Sequence, residues 1–144
     1  IAMGVGMAQT DRRVICLDGD GSAIMHMGAL GVIGSSGPPN LLHIVINNGA
    51  HDSVGGQPTV GYGIDVPAIA SACGYRDCAS VTDPDALESQ IARLRQCDGP
   101  VLLEVRVNKG ARPELGRPAS TPIENRDSLM AGLDLQAATT ADSM

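Results

Sequence analysis

A chain of 144 residues with 43% apolar composition is enough for one domain around a single core, and a formal charge of -6 argues against a general nucleic-acid or anionic-membrane surface. No apolar run approaches the roughly 20 residues needed to span a bilayer, and no signal-peptide order opens the chain, so neither membrane nor nucleic acid is expected as a partner and a cytoplasmic setting is. Trp and Phe are absent and Tyr62 and Tyr75 are the only aromatic residues, so the core must rest on aliphatic side chains, which suits parallel strands buried on both faces.

Residues Ile1 to Gln9 read as a small-residue helix entered part-way, which points to a fragment of a longer protein. Val14 to Leu17 is a short apolar run ending in Asp18-Gly19-Asp20-Gly21, and Ala23 to Ile33 continues apolar on nearly every side. This predicts a buried strand, a tight turn and one buried helix. Gly28 and Gly31, which cost about 1 kcal/mol each inside a helix, would be kept there for the close approach of another backbone. Ser35 to Pro39 ends that helix and Leu41 to Ile46 is a second aliphatic strand.

Asn47 to Gly63 is Gly-rich and aperiodic, and so long a loop in a small domain is usually functional. Asp65 caps a predicted helix over Val66–Cys73 that Gly74 stops, and Tyr75 to Val81 reads as a strand. Asp83-Pro84 is a cap followed by a first-turn proline, and Leu87, Ile91 and Leu94 at i, i+4 and i+7 mark the inner face of a helix ending near Cys97. Val101 to Val107 is the last strand. Beyond Asn108 the chain is polar and Pro-punctuated, with a short helix predicted over Pro122–Leu133 and a frayed end over 136–144. Strands alternating with helices imply α/β architecture, a single doubly wound parallel sheet flanked by helices, in one domain over 1–135. Cys16, Cys73, Cys78 and Cys97 form no C-x-x-C pair and read as reduced thiols.

The loops after Leu17 and after Ile46 both leave the carboxyl ends of strands, where such sheets bind ligands. A Gly-Asp-Gly turn alone is a weak signal, but here Asn47-Asn48 follows one helix and one strand later. An Asp carboxylate, an Asn amide oxygen and a backbone carbonyl are hard ligands for Mg²⁺, and the bare backbone of Gly21 and Ser22 offers N–H donors to phosphate. Together they would hold a diphosphate.

Gly19-Asp20-Gly21 through Asn47-Asn48 resembles the signature of the thiamine-diphosphate-dependent decarboxylases and acetohydroxyacid-synthase-like enzymes. The resemblance implies the diphosphate-binding domain of the thiamine-diphosphate-binding fold, with thiamine diphosphate and Mg²⁺ as cofactors. The Mg²⁺ ligands would then be Asp20, the Asn48 side chain and the Ala50 carbonyl, with Gly19, Gly21, Ser22, His51 and Ser53 also against the cofactor. His26 to Leu30, Asn47 to Thr59, Leu115 to Pro118 and Thr121 to Asn125 are similar to the phosphonopyruvate decarboxylases within that family, and the resemblance runs from Met3 to Leu133.

It further implies decarboxylation of a small anionic 2-oxo acid in a homo-oligomeric full enzyme. A sulfopyruvate decarboxylase β subunit, or a non-catalytic cofactor-binding or assembly module, are the other readings. The family's glutamate against the aminopyrimidine ring has no counterpart here, since Glu88, Glu104 and Glu114 stand in other contexts. A pyrimidine-binding domain or subunit is therefore expected as partner.

His51 reads either as a catalytic group touching substrate or relaying a proton, or as a loop residue bonded to its neighbours. His26 and His43 read as core or interface histidines. Arg106, Lys109, Arg112 and Arg117 form a basic cluster able to grip a phosphonate, or else a solvated face. Arg112, Arg117 and Gln57 are the substrate candidates.

Overall fold

The computed structural model describes residues 1–116 and 118–141. Helix α1 (Ala2–Ala8) leads into strand β1 (Val14–Gly19), and α2 (Asp20–Met25) and α3 (Gly28–Ser36) carry the chain back to β2 (Leu41–Asn47). The loop that follows contains a two-residue antiparallel pair, β3 (Ala50–His51) with β4 (Gln57–Pro58). Then come α4 (Val66–Ala72), β5 (Asp77–Val81), α5 (Pro84–Leu94), β6 (Val101–Arg106) and α6 (Pro122–Ala141).

The main sheet has four parallel strands in the order β1-β2-β6-β5. Its two middle strands are the most aliphatic, Leu41–Asn47 and Val101–Arg106, and almost every residue in them is buried. One face is sealed by Ala23, Leu30, Val66 and Ala70 from α2, α3 and α4 against Val45, Leu102 and Tyr75. The other face takes α5, whose Leu87, Ile91 and Leu94 meet Leu42, Ile44, Val101, Leu103 and Val105, as their spacing predicts. Helices on both faces make the sheet doubly wound. At the β1 edge the alternation shows, with Ile15 and Leu17 left 47% and 71% exposed while Val14, Cys16 and Asp18 turn inward.

The helix caps follow the sequence. Asp65 Oδ1 accepts from Ala68 N at 2.9 Å and Asp83 Oδ1 from Asp85 N at 3.1 Å, each just before a proline in the first turn. Thr121 and Glu124 form a reciprocal capping box at α6, with Glu124 N to Thr121 Oγ1 at 3.2 Å and Thr121 N to Glu124 Oε2 at 2.7 Å.

Three expectations need correction. The helix foreseen over Ala23–Ile33 is two helices, because the hydrogen bonds tighten to i−3 at Met27, Ala29 and Leu30, beside the poor helix former Gly28. Gly28 and Gly31 face open space in this chain; the close approach is at Gly34, where an added Cβ would lie 2.0 Å from the Cys73 carbonyl oxygen. The chain divides into two compact units after Gly110. Finally, α6 continues to Ala141, past Leu133 and into the stretch expected to fray, while 142–144 lie outside the described residues. Among the described residues no helix is long and apolar enough to cross a membrane.

His43 is 5% exposed in β2, with Nδ1 3.2 Å from the Tyr75 hydroxyl and Nε2 3.6 Å from Asp18 Oδ2. Burial pushes its imidazole below the ordinary value, and the nearby Asp18 charge only partly offsets this. The folded chain therefore favours the neutral ring and the unfolded chain takes up the proton first as pH falls. Stability from this group is complete above about pH 6.5 and is lost below it, with a ceiling near 1.4 kcal/mol per pH unit for one proton. Urea unfolding should give a lower midpoint at pH 5.5 than at pH 7.5, with a smaller difference in His43→Gln; an equal difference would place the titration elsewhere.

Candidate functional site

β1 ends at Gly19 and the chain turns at once into α2, which puts Asp20 in the first turn and 1% exposed. A buried carboxylate needs donors, and Thr59 supplies one, its hydroxyl donating to Asp20 Oδ2. Thr59 is held in turn by Gly49, whose carbonyl accepts from Thr59 N at 2.9 Å, and its Oγ1 accepts from Gly61 N at 3.1 Å. The long loop thus folds back over the Gly-Asp-Gly turn.

The Asn-Asn pair makes two successive side-chain turns after β2. Asn47 Oδ1 accepts from Gly49 N at 3.1 Å and Asn48 Oδ1 from Ala50 N at 3.0 Å, which bends the chain sharply and uses the positive φ of +68° at Gly49. Asn48 Nδ2 donates to Asp52 Oδ2 at 2.9 Å, and the same oxygen accepts from Gly110 N at 2.9 Å. Lys109 donates to the Gly56 carbonyl. The segment after β6 therefore clamps the 52–56 turn. His51 lies over the start of α2: a Cβ on Gly21 would stand 2.4 Å from His51 Nδ1 and Cε1, so glycine there makes room for the ring.

Gly19, Asp20, Gly21, Ser22, Asn48, Ala50, His51 and Ser53 line one open cavity of about 550 Å³ at the carboxyl ends of β1 and β2. The two loops, 28 residues apart between Asp20 and Asn48, meet only through the parallel pairing of β1 with β2. Leu17, Met25 and Val54, exposed by 71%, 66% and 69%, give the cavity an apolar rim. A second cavity of about 300 Å³ between α1 and α3 is apolar apart from Asp18, His26 and His43 and contains none of the Asn48 to Ser53 residues.

Asp20, the Asn48 amide oxygen and the Ala50 backbone form an all-oxygen donor set, of the kind a small hard cation takes together with phosphate oxygens. Among the described residues no three His, Cys, Asp or Glu side chains gather around one point, so no soft-ligand site competes with it there. The cavity is also roomy enough for a diphosphate beside the cation.

The substrate candidates are Gln57, Arg112 and Arg117. Gln57 is exposed on β4 and does not line the cavity. Arg112 belongs to the second unit, 68% exposed with Glu114 at 3.9 Å, and Arg117 lies outside the described residues. Arg106 is occupied with Glu104 at 3.1 Å and stands 6.0 Å from the Tyr62 ring centre. His26 is exposed, unlike the buried His43.

Sequence reasoning missed Thr59 and Asp52, loop residues whose roles depend on where the loop folds back. It also passed over the buried Glu104, although a carboxylate within an aliphatic strand was itself a signal.

Residues 1–105 match the family described as thiamine pyrophosphate enzyme, C-terminal TPP binding domain. The chain is 44% identical over 123 residues to a phosphonopyruvate decarboxylase of Streptomyces viridochromogenes, covering 85% of this chain and 31% of that protein. It is 34% identical to a sulfopyruvate decarboxylase subunit beta of Methanothermobacter thermautotrophicus over 76% of this chain and 56% of the subunit. Among solved structures, a thiamine diphosphate-dependent 4-hydroxybenzoylformate decarboxylase of Rhodococcus jostii superimposes with a TM-score of 0.65 at 30% identity, covering 76% of this chain and 22% of that one. The chain thus spans about a third of the length of the phosphonopyruvate decarboxylase it matches.

Proposed function

The chain belongs to the thiamine pyrophosphate enzymes, as their C-terminal TPP-binding domain, and from that premise we propose that it is the diphosphate-holding part of a decarboxylase converting 3-phosphonopyruvate to phosphonoacetaldehyde and CO₂. The observation that carries the binding role is the meeting of Asp20 and Asn48 in one cavity from loops on neighbouring strands. Asp20, Asn48 Oδ1 and the Ala50 carbonyl would hold Mg²⁺, while Gly19, Gly21, Ser22, His51 and Ser53 would face the diphosphate.

When bound, the cofactor's thiazolium ring supplies the electron sink for the pair released with CO₂. This chain's residues contribute anchoring and aim: a diphosphate fixed at one end orients the reactive end of the cofactor, an effect of position more than of chemistry. The apolar rim of Leu17, Met25 and Val54 supports contact with a pyrimidine-binding domain or subunit, which would also supply the acid for the aminopyrimidine ring. A cytoplasmic, homo-oligomeric full enzyme fits the same reading. Sulfopyruvate is the second substrate to consider, because the similarity to a sulfopyruvate decarboxylase subunit beta covers over half of that subunit.

The 144-residue chain alone is expected to release no CO₂ from phosphonopyruvate at saturating Mg²⁺ and thiamine diphosphate, and to gain activity when a pyrimidine-binding half is supplied. A coupled aldehyde assay on mass-verified material decides it. Turnover by the isolated chain would overturn the division of labour, and preference of the complemented enzyme for sulfopyruvate would move the substrate assignment.

A further inference from the structure

Glu104 sits in β6, fully buried in a strand whose other residues, apart from Arg106 at its end, are Val and Leu. Its carboxylate accepts from three donors: Asn47 Nδ2 at 2.7 Å, Ser80 Oγ at 2.6 Å and Arg106 Nε at 3.1 Å. Burying a carboxylate is costly even when it is paired, and a hydrophobic residue would fill a central strand at less cost. Its chemistry therefore needs a use, and the link through Asn47 supplies one.

Asn47 is itself fully buried and all its polar groups are used. One amide proton goes to Glu104, the other to the Gly61 carbonyl at 2.8 Å, and Oδ1 accepts from Gly49 N. Gly61 is pinched between two side chains: a Cβ there would lie 2.6 Å from Asn47 Oδ1 and 2.6 Å from Asp20 Oδ2. Gly61 N also holds the Thr59 hydroxyl that donates to Asp20. A continuous series of contacts thus runs from Glu104 through Asn47, Gly61 and Thr59 to Asp20. A branch through Gly49 reaches the turn that presents Asn48.

We infer that Glu104 is a positioning residue for the cation-binding loops, acting through Asn47 to set the orientation of Asp20 and the bend at Asn48. This rests on the reading of Asp20 and Asn48 as Mg²⁺ ligands. An acceptor at this place fixes which way the Asn47 amide faces: with the carboxylate on its NH₂ side, Asn47 Oδ1 is left for Gly49 N. A glutamine in its place brings its own NH₂ group against Asn47, Ser80 or Arg106, all of which donate, so at least one donor loses its acceptor.

The test uses the protein assembled with its pyrimidine-binding half and reads Mg²⁺-dependent binding of thiamine diphosphate by calorimetry, alongside turnover at saturating Mg²⁺. Asp20→Ala is the control for the underlying reading; if it binds as the parent does, the site assignment itself fails. With that control losing binding, Glu104→Gln should raise half-saturating Mg²⁺ by about 10- to 100-fold, as loss of a supporting residue does at metal sites. Turnover at saturating Mg²⁺ should stay within about threefold of the parent, a split that general loss of structure does not produce. Unchanged Mg²⁺ dependence in a folded Glu104→Gln protein overturns the inference. Should that variant not fold, Ser80→Ala decides: a smaller rise in half-saturating Mg²⁺ supports the role of Glu104, and no rise overturns it.

Discussion

Asp20→Ala is expected to abolish Mg²⁺-dependent binding of thiamine diphosphate, weakening it by more than about 100-fold, the upper range for losing only a supporting residue at a metal site. Asp20 is the single carboxylate among the three proposed ligands, and Mg²⁺ demands a near-octahedral set of oxygens. Its removal also leaves the Thr59 hydroxyl without its acceptor, so the fold-back of the loop loosens along with the ligand set. Asn48→Ala should act in the same direction, because it takes away an amide oxygen and the side-chain turn that bends the loop at Ala50. Calorimetric titration of the complemented protein with and without Mg²⁺ checks both. Binding at parental strength in the two variants would remove the cation site from these loops, and Thr59→Val, which keeps the carboxylate, should show a smaller loss.

The largest effect on stability is expected at Gly34→Ala. An added Cβ would stand 2.0 Å from the Cys73 carbonyl oxygen and 2.6 Å from its carbon, and both are backbone atoms that cannot turn aside. The contact is reciprocal, since a Cβ on Gly74 would meet the Gly34 carbonyl carbon and oxygen at 3.2 Å, and Gly74 itself has a φ of +105°. Helices α3 and α4 must separate to admit the methyl, which opens the cluster of Leu30, Val66, Ala70 and Tyr75 beneath them. Overpacking costs about 1–3 kcal/mol where side chains can shift, and about 3 kcal/mol or more is expected where backbone must move. At about 4–8 °C per kcal/mol for a unit of this size, the melting temperature should fall by roughly 12–24 °C. Gly31→Ala is the comparison: its methyl meets nothing within 4 Å, so helix propensity should raise stability by up to about 1 kcal/mol. A Gly34→Ala protein that melts with the parent would show that the helices are less closely apposed than described.

The two cores answer to sequence period in different ways. The α5 face was readable because Leu87, Ile91 and Leu94 repeat at helical spacing over a strand-like floor, and two aspartates before prolines announced their own caps. The helix after Asp20 was not readable as two, since its aliphatic and glycine residues give no face to read and the break at His26–Met27 is a matter of local hydrogen bonding. The choice of Asp20, Asn48 and their neighbours as candidates rested on residue chemistry and a family resemblance.

What the sequence by itself determined is the alternation of strand and helix, the aliphatic middle strands and the two oxygen-rich loops, all of which depend on residues close together in the chain. Only the tertiary structure decided which distant residues serve those loops: Thr59 on Asp20, Asp52 and Gly110 around Asn48, Glu104 behind Asn47, and His51 over Gly21. It also decided that Gly34, not Gly28 or Gly31, is where two backbones touch. The physical reason is range: periodicity and turn chemistry act over a few residues, whereas a hydrogen bond such as Asn47 to Glu104, 57 residues apart, exists only after parallel strands have set their register.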